Sequence, residues 1–145
     1  MSFEFLERFF DKVLWLAAAG HFVTLAASFQ VPHRLEWKRD LAQLMPFNRK
    51  LMWVQSGFTV LSIFAFGVLT LVLHAEMLRG DRAAMALVCY IAVFWTTRIL
   101  VDVFYYSHED WPAGKQFVAG HVLLTALFVA QAASYWAVFC WHVLR

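Results

Sequence analysis

Apolar residues dominate four long stretches of the chain, and polar residues gather in the segments between them. The four stretches cover residues 9–29, 51–74, 83–106 and 116–144. Each is close to or longer than the roughly 20 residues that an α-helix needs to cross a bilayer. The pattern therefore predicts an all-α integral membrane protein, in which four transmembrane helices pack as a bundle in a single domain, 1–145.

The polar segment between the first two stretches has a helical period of its own. Pro32 is well placed to begin a helix there and Pro46 to end it. Between these prolines, apolar side chains recur at i, i+4, i+7 and i+8, at Trp37, Leu41, Leu44 and Met45. The spacing predicts an amphipathic helix that lies in the membrane interface between helices 1 and 2, or that docks a partner subunit.

Composition strengthens the membrane interpretation. The 145 residues are 62% hydrophobic and 15% charged, and the mean hydropathy is +0.61, whereas soluble domains are about 25% charged. The net charge of +2 comes without a basic block of the kind that follows a nucleic acid. The expected partner is the lipid bilayer, and binding of nucleic acid is not expected.

Two charged residues, Arg98 and Asp102, lie clearly inside a predicted span. They are four residues apart, so they share one face of the helix. A charge within hydrocarbon costs several kcal/mol, about 3 by insertion scales, and such residues usually mark a functional site. The pair is therefore the starting point for a site hypothesis.

Polar residues of the other spans fall at a similar predicted depth. Short connections make the four helices alternate in direction, so depth follows from the rise of about 1.5 Å per residue. By this estimate five residues lie within one layer roughly 6–14 Å below one surface, namely His21, Gln55, Arg98, Asp102 and His121. Tyr105 and His108 lie just above the layer. We expect an enclosed polar cluster whose mouth is at Tyr105 and His108.

This cluster favours the binding of a redox cofactor or lipophilic ligand, either b-type haem or a quinone. Histidines on facing helices of a four-helix bundle can ligate haem iron, and His21 and His121 are the candidate metal ligands. Arg98 would then pair with a haem propionate. A quinone head group would form hydrogen bonds with the same side chains. Electron transport is the process that either ligand implies.

Other functions fit the same residues. The protein could be an accessory or assembly subunit of a larger membrane complex or a homo-oligomer, with a purely structural cluster. It could be a proton or ion relay or small transporter, with Asp102 as the carrier. Enzyme chemistry on a lipid is a further alternative. The sequence contains no GxSxG, HExxH or CxxC motif, so it does not indicate which reaction would be catalysed.

The numbers of basic residues on the two predicted sides of the membrane give a weak indication of how the protein is oriented in it. One side carries six basic residues and the other five: Arg34, Lys38, Arg39, Arg49, Lys50 and Lys115 against Arg8, Lys12, Arg79, Arg82 and Arg145. Basic loops favour the cytoplasmic side, and an amphipathic basic helix suits an anionic leaflet. We therefore expect an integral protein of the bacterial inner (cytoplasmic) membrane with both termini outside.

Overall fold

The computed structural model describes residues 3–106 and 114–144, which form helices joined by short turns. In chain order these are α1 (Phe3–Ser28), α2 (Val31–Arg34), α3 (Trp37–Asp40), a 3-10 turn (Leu41–Gln43), α4 (Pro46–Val72), α5 (His74–Arg79), α6 (Arg82–Phe104) and α7 (Lys115–Val143). No strand occurs within the two described stretches. The prediction of an all-α fold is confirmed for them.

Four of the helices are long. α1, α4, α6 and α7 contain 26, 27, 23 and 29 residues, which corresponds to about 35–44 Å at 1.5 Å per residue. A bilayer's hydrocarbon core is about 30 Å thick. By length and composition, all four helices could cross a membrane. The prediction of four helices of this kind is confirmed.

The segment between α1 and α4 differs from the single amphipathic helix that the sequence predicts. Glu36 adopts a left-handed conformation, with φ 49° and ψ 38°, which separates α2 from α3. A non-glycine residue in this region interrupts a right-handed helix. Pro46 occupies the first turn of α4 instead of ending the preceding helix, because a proline there loses no intrahelical hydrogen bond.

The short α5 connects α4 to α6 through a glycine turn. Gly80 has φ 79°, and its N–H donates to the carbonyl of Glu76 at 3.0 Å. A Cβ at this position would lie 2.5 Å from Nδ1 of His142, so packing as well as backbone conformation favours glycine. A hydrogen bond to Asp81, and the negative charge of that carboxylate, raise the pKa of Arg79.

One end of the bundle is tightly packed, and we call it the closed half. It contains α5 and the fully buried residues of the four long helices. On α4 the buried residues begin at Ile63, on α6 they end at Trp95, and on α7 they begin at Phe128. Phe10 of α1 stacks on Trp141 of α7 with ring centroids 4.6 Å apart. The hydrophobic core therefore lies in this half.

The other end, which we call the open half, has no buried residue on α4, α6 or α7. It comprises residues 46–62 of α4, 96–104 of α6 and 115–127 of α7, all of them exposed or half-buried. The segment between α1 and α4 lies at the same end. Side chains in the open half are therefore accessible from between the helices, and the charges of α6 lie there.

Candidate functional site

A cleft opens between the helices of the open half. Its volume is about 640 Å³, and it is bounded by the end of α1, by α2 and α3, and by α6 and α7. Its polar lining includes Arg34, Arg98, Asp102, Tyr106 and His121. Its apolar lining includes Ala27, Val31, Phe117, Leu123 and Leu124. A mixed lining of this kind suits a molecule with both a polar group and an apolar body.

Asp102 is the best-enclosed member of the open-half cluster, which we define as Arg98, Asp102, His121 and Thr125. Its side chain is 7% exposed. The hydroxyl of Thr125 donates to Oδ2 at 2.9 Å, and Nε2 of His121 lies 3.2 Å from the same oxygen. Because the carboxylate can only accept, an Nε2–H tautomer of His121 completes this contact. The carboxylate thus fixes the orientation of the imidazole.

Arg98 is held mainly by aromatic rings. Its Cζ lies 5.2 Å from the ring centroid of Phe128 and 5.8 Å from that of Tyr106, within the range of cation–π attraction. Nη1 is 4.0 Å from Oδ1 of Asp102, which is too long for a hydrogen bond. Within the described residues this buried nitrogen has no hydrogen-bond partner. Because the side chain as a whole is 38% exposed and lines the cleft, the other N–H groups of the guanidinium are the donors that a ligand could reach.

His21 lies in the closed half and is fully buried. Its Nδ1–H donates to the carbonyl of Ala17 at 2.9 Å, and its Nε2 accepts from the indole N–H of Trp95 at 3.1 Å. The tautomer follows from these partners, because a carbonyl only accepts and an indole N–H only donates. Both ring nitrogens of His21 thus have protein partners.

Other polar groups surround His21, and together we call them the closed-half cluster: His21, Thr70, Trp95, Gln131 and Tyr135. Nε2 of Gln131 donates to the carbonyl of Ala17 at 3.0 Å, which places α7 against α1. The hydroxyl of Tyr135 lies 2.6 Å from Oγ1 of Thr70. The hydroxyl of Thr70 in turn donates to the carbonyl of Phe66 at 2.7 Å, so Tyr135 donates to Thr70. The cluster joins all four long helices.

The structure brings together three of the residues predicted for the site and separates the others. Arg98, Asp102 and His121 line one cleft. His21 lies in the closed half, in contact with Trp95. Gln55 is on an exposed face of α4, and Tyr105 is exposed beyond the end of α6. His108 lies outside the described residues.

The predicted metal ligands do not form one cluster. His21 contacts α6 through Trp95, whereas His121 contacts Asp102 and Thr125 in the open half. Among residues 3–106 and 114–144, no group of three or more His, Cys, Asp or Glu side chains could hold a metal ion. The arrangement therefore does not favour His21 and His121 as paired axial ligands of one haem.

Sequence reasoning missed Thr125, Trp95 and Tyr135 as members of these clusters. Thr125 follows His121 by four residues, and Tyr135 follows Gln131 by four, so each pair shares a helical face. Trp95 precedes Arg98 by three residues on α6. A search for polar or aromatic residues one turn from each predicted site residue would have found Thr125 and Trp95 but not Tyr135, because Gln131 is not among the predicted site residues.

No family model matches the chain, and neither a curated protein nor a solved structure matches it. The geometry of the cleft and of the two clusters is therefore the basis for inferring a function.

Proposed function

We propose that the protein is an integral protein of the bacterial cytoplasmic membrane and binds a quinone in the cleft of the open half. One observation carries the proposal: a cleft of mixed polar and apolar lining contains both Arg98, which aromatic rings hold and which is partly exposed, and His121, which Asp102 orients. The termini would lie outside, since the segment between α1 and α4 carries more basic residues than the α5 turn.

The cleft offers the contacts that a quinone needs. A quinone carbonyl accepts hydrogen bonds and cannot donate them, and the partly exposed guanidinium of Arg98 presents N–H donors at the cleft. His121, whose Nε2–H donates to Asp102, would border the head group and be held in place by that carboxylate. The isoprenoid tail would contact Leu123, Leu124 and surrounding lipid. The proposal concerns binding.

A haem held by two histidines is less well supported. Nε2 of His21 accepts the indole N–H of Trp95, and ligation of iron would need the same lone pair. The site would also require His121 to leave Asp102 and reach the closed half. A quinone needs neither rearrangement, which is why we prefer it.

Gly120 permits a sharp test of the proposal. It borders the cleft, and a Cβ built there meets no atom within 4 Å. Gly120→Phe should therefore occupy the cleft without disturbing the fold. A Cβ added at Gly57 on α4 also meets no atom within 4 Å, and Gly57 is not a cleft residue. Gly57→Phe is thus a matched control for helix propensity and added apolar bulk.

The experiment measures the affinity of purified protein in detergent for a short-chain ubiquinone or menaquinone analogue, by quenching of tryptophan fluorescence. Wild type and Gly57→Phe should bind with equal affinity, and Gly120→Phe should bind at least about tenfold more weakly. Arg98→Gln should weaken binding about tenfold or more, since it removes a charged donor, and Arg82→Gln at the exposed start of α6 should not. Equal affinity of all variants would refute the proposal.

A second candidate function, an accessory subunit of a membrane complex, is supported by the exposed face of α4. Gln55 and Thr59 lie on that face, and Gln55 is five residues, about 7.5 Å along the helix, beyond Lys50, the last charged residue at the start of α4. An amide facing lipid at this depth is costly, whereas interhelical hydrogen bonds would satisfy it. A photo-crosslinking residue at position 55 should form a protein adduct in native membranes, and one at Val103 should not.

A further inference from the structure

A second pocket lies beside the cleft, at the same end of the bundle. Its volume is about 680 Å³, and it lies between the end of α1, α2, α3 and α4. Three apolar side chains and three basic side chains contribute to its wall: Phe29, Pro32 and Trp53, with Arg34, Lys38 and Arg39. Apolar and basic groups thus meet in one pocket whose lining residues come from adjoining elements.

The left-handed Glu36 shapes this pocket and decides which of its charges are available. Oε2 of Glu36 lies 2.6 Å from Nη1 of Arg39, so this carboxylate neutralises Arg39. Arg34 contacts only the neutral amide of Gln30, through Nε at 3.3 Å. In the described part of the chain, neither Arg34 nor Lys38 forms an ion pair. Two cations in the pocket therefore lack a counter-charge.

The surroundings of the pocket have the character of a membrane interface. Trp37 packs edge-on against Trp53 with ring centroids 5.7 Å apart, which holds α3 on α4. Met45 and Phe47 are 71% and 73% exposed. Residues 29–50 contain five basic and two acidic side chains, a net charge of +3, whereas residues 73–82 contain two of each. The positive charge is thus concentrated at the end of the bundle that holds the pocket, with Arg49 and Lys50 contributed by the first turns of α4.

We propose that this pocket binds an anionic phospholipid. The phosphate would lie between Arg34 and Lys38, and an acyl chain would follow Phe29 and Trp53 toward the hydrocarbon. Charge complementarity identifies the lipid class, because a zwitterionic headgroup brings its own cation and leaves the two basic residues without net neutralisation. This site adjoins the quinone cleft and shares Arg34 with it, but Lys38 and Trp53 line only the pocket.

The test uses lipids with brominated acyl chains, which quench tryptophan at short range. The protein is reconstituted in phosphatidylcholine nanodiscs that contain an increasing fraction of brominated phosphatidylglycerol or, in parallel, brominated phosphatidylcholine. We expect phosphatidylglycerol to quench at a clearly lower fraction. Trp53→Phe should remove part of the quenching amplitude, since Trp53 lines the pocket.

Two double variants that lose the same charge distinguish lipid binding in this pocket from a general effect of surface charge. Arg34→Gln with Lys38→Gln should reduce the preference for phosphatidylglycerol about fivefold for each residue removed. Arg8→Gln with Lys12→Gln, both exposed on the first turns of α1, should leave the preference unchanged. All four residues are exposed, and circular dichroism checks that both variants keep their helices.

Three results would overturn the proposal. Equal quenching by the two lipids would show that the pocket has no charge selectivity. An unchanged preference in the Arg34 and Lys38 double variant would place the selectivity elsewhere. Loss of the preference on addition of millimolar inorganic phosphate, but not of equal chloride, would identify a site for a free anion rather than a lipid. None of these results depends on quinone affinity.

Discussion

The closed and open halves use polar residues in different ways. In the closed half, His21, Trp95, Tyr135 and Thr70 satisfy one another and the backbone, and Oε1 of Gln131 is a buried exception without a partner in the described structure. In the open half, Asp102 is satisfied by Thr125 and His121, but an Arg98 nitrogen is not.

This difference separates a structural role from a binding role. Polar groups in a low-dielectric interior are costly unless paired, and fully paired networks fix a unique packing. Apart from Oε1 of Gln131, the closed-half cluster is paired in this way, and each long helix contributes to it. The open-half cluster has spare donors and borders a cleft. Changes in the first should alter stability, and changes in the second should alter binding.

The largest expected effect on stability is from Trp95→Ala. The side chain is 1% exposed, so its removal leaves a cavity and takes the donor from His21. The free energy of unfolding should fall by about 3–5 kcal/mol. Trp53→Ala in the open half should cost within about 1 kcal/mol, because Trp53 is 42% exposed. Unfolding by sodium dodecyl sulfate in mixed micelles, followed by circular dichroism, measures both, and equal losses would contradict the contrast.

Trp95→Phe should have a smaller effect, because the aromatic packing on Phe128 survives. The loss of the indole N–H leaves Nε2 of His21 without its donor. We expect a loss of about 1–2 kcal/mol. In a double-mutant cycle with His21→Leu, the two changes should couple by about 1 kcal/mol. Strict additivity would mean that the hydrogen bond contributes nothing to stability.

Tyr135→Phe removes the contact with Thr70 and leaves the bond from Thr70 to Phe66 intact. Interhelical hydrogen bonds in membranes contribute about 0.6 kcal/mol on average, so the expected loss is about 0.6–1 kcal/mol. Tyr90→Phe on α6 is a control, since Tyr90 is 60% exposed and should tolerate the change. The same detergent titration distinguishes the two, and a larger loss for Tyr90→Phe would argue against a structural role for Tyr135.

The smallest stability effect is expected for Asp102→Asn, within about 0.5 kcal/mol, because an amide keeps the shape and Thr125 can still donate to its oxygen. Quinone affinity should nevertheless fall about tenfold, since His121 loses its charged acceptor. Asp40→Asn on the exposed surface of α3 should change neither quantity. A loss of several kcal/mol in Asp102→Asn would make the open-half cluster structural as well.

The helices could be predicted from sequence, but their relative positions could not. Length and hydrophobicity determine that α1 and α7 are long helices. The depth estimate placed His21 and His121 in one layer on the assumption that the helix ends are level. Packing sets the stagger instead: Gln131 meets Ala17, and Phe10 meets Trp141. These contacts place His21 against the later part of α7, far along the chain from His121.

The sequence also does not show what the polar face of α4 contacts. Gln55, Thr59 and Ser62 form a polar stripe that the sequence displays clearly. A stripe shows which residues share a face, but not which neighbour the face meets. Because α4 is buried only from Ile63 onward, Gln55 lies on an uncovered surface. By contrast, Arg98 and Asp102 were identifiable from sequence, since their charge alone makes them exceptional in an apolar helix.

The bond between Nδ1–H of His21 and the Ala17 carbonyl has a consequence for how the chain is made. In the proposed topology, α1 reaches the bilayer while α6 is still to be synthesised, and Trp95 follows His21 by 74 residues. His21 can form its first bond within its own helix at once. Only Nε2 of His21 then lacks its partner, the indole N–H of Trp95. Insertion of this chain into a membrane would thus expose a single unsatisfied acceptor, rather than a whole imidazole, until the later helices arrive.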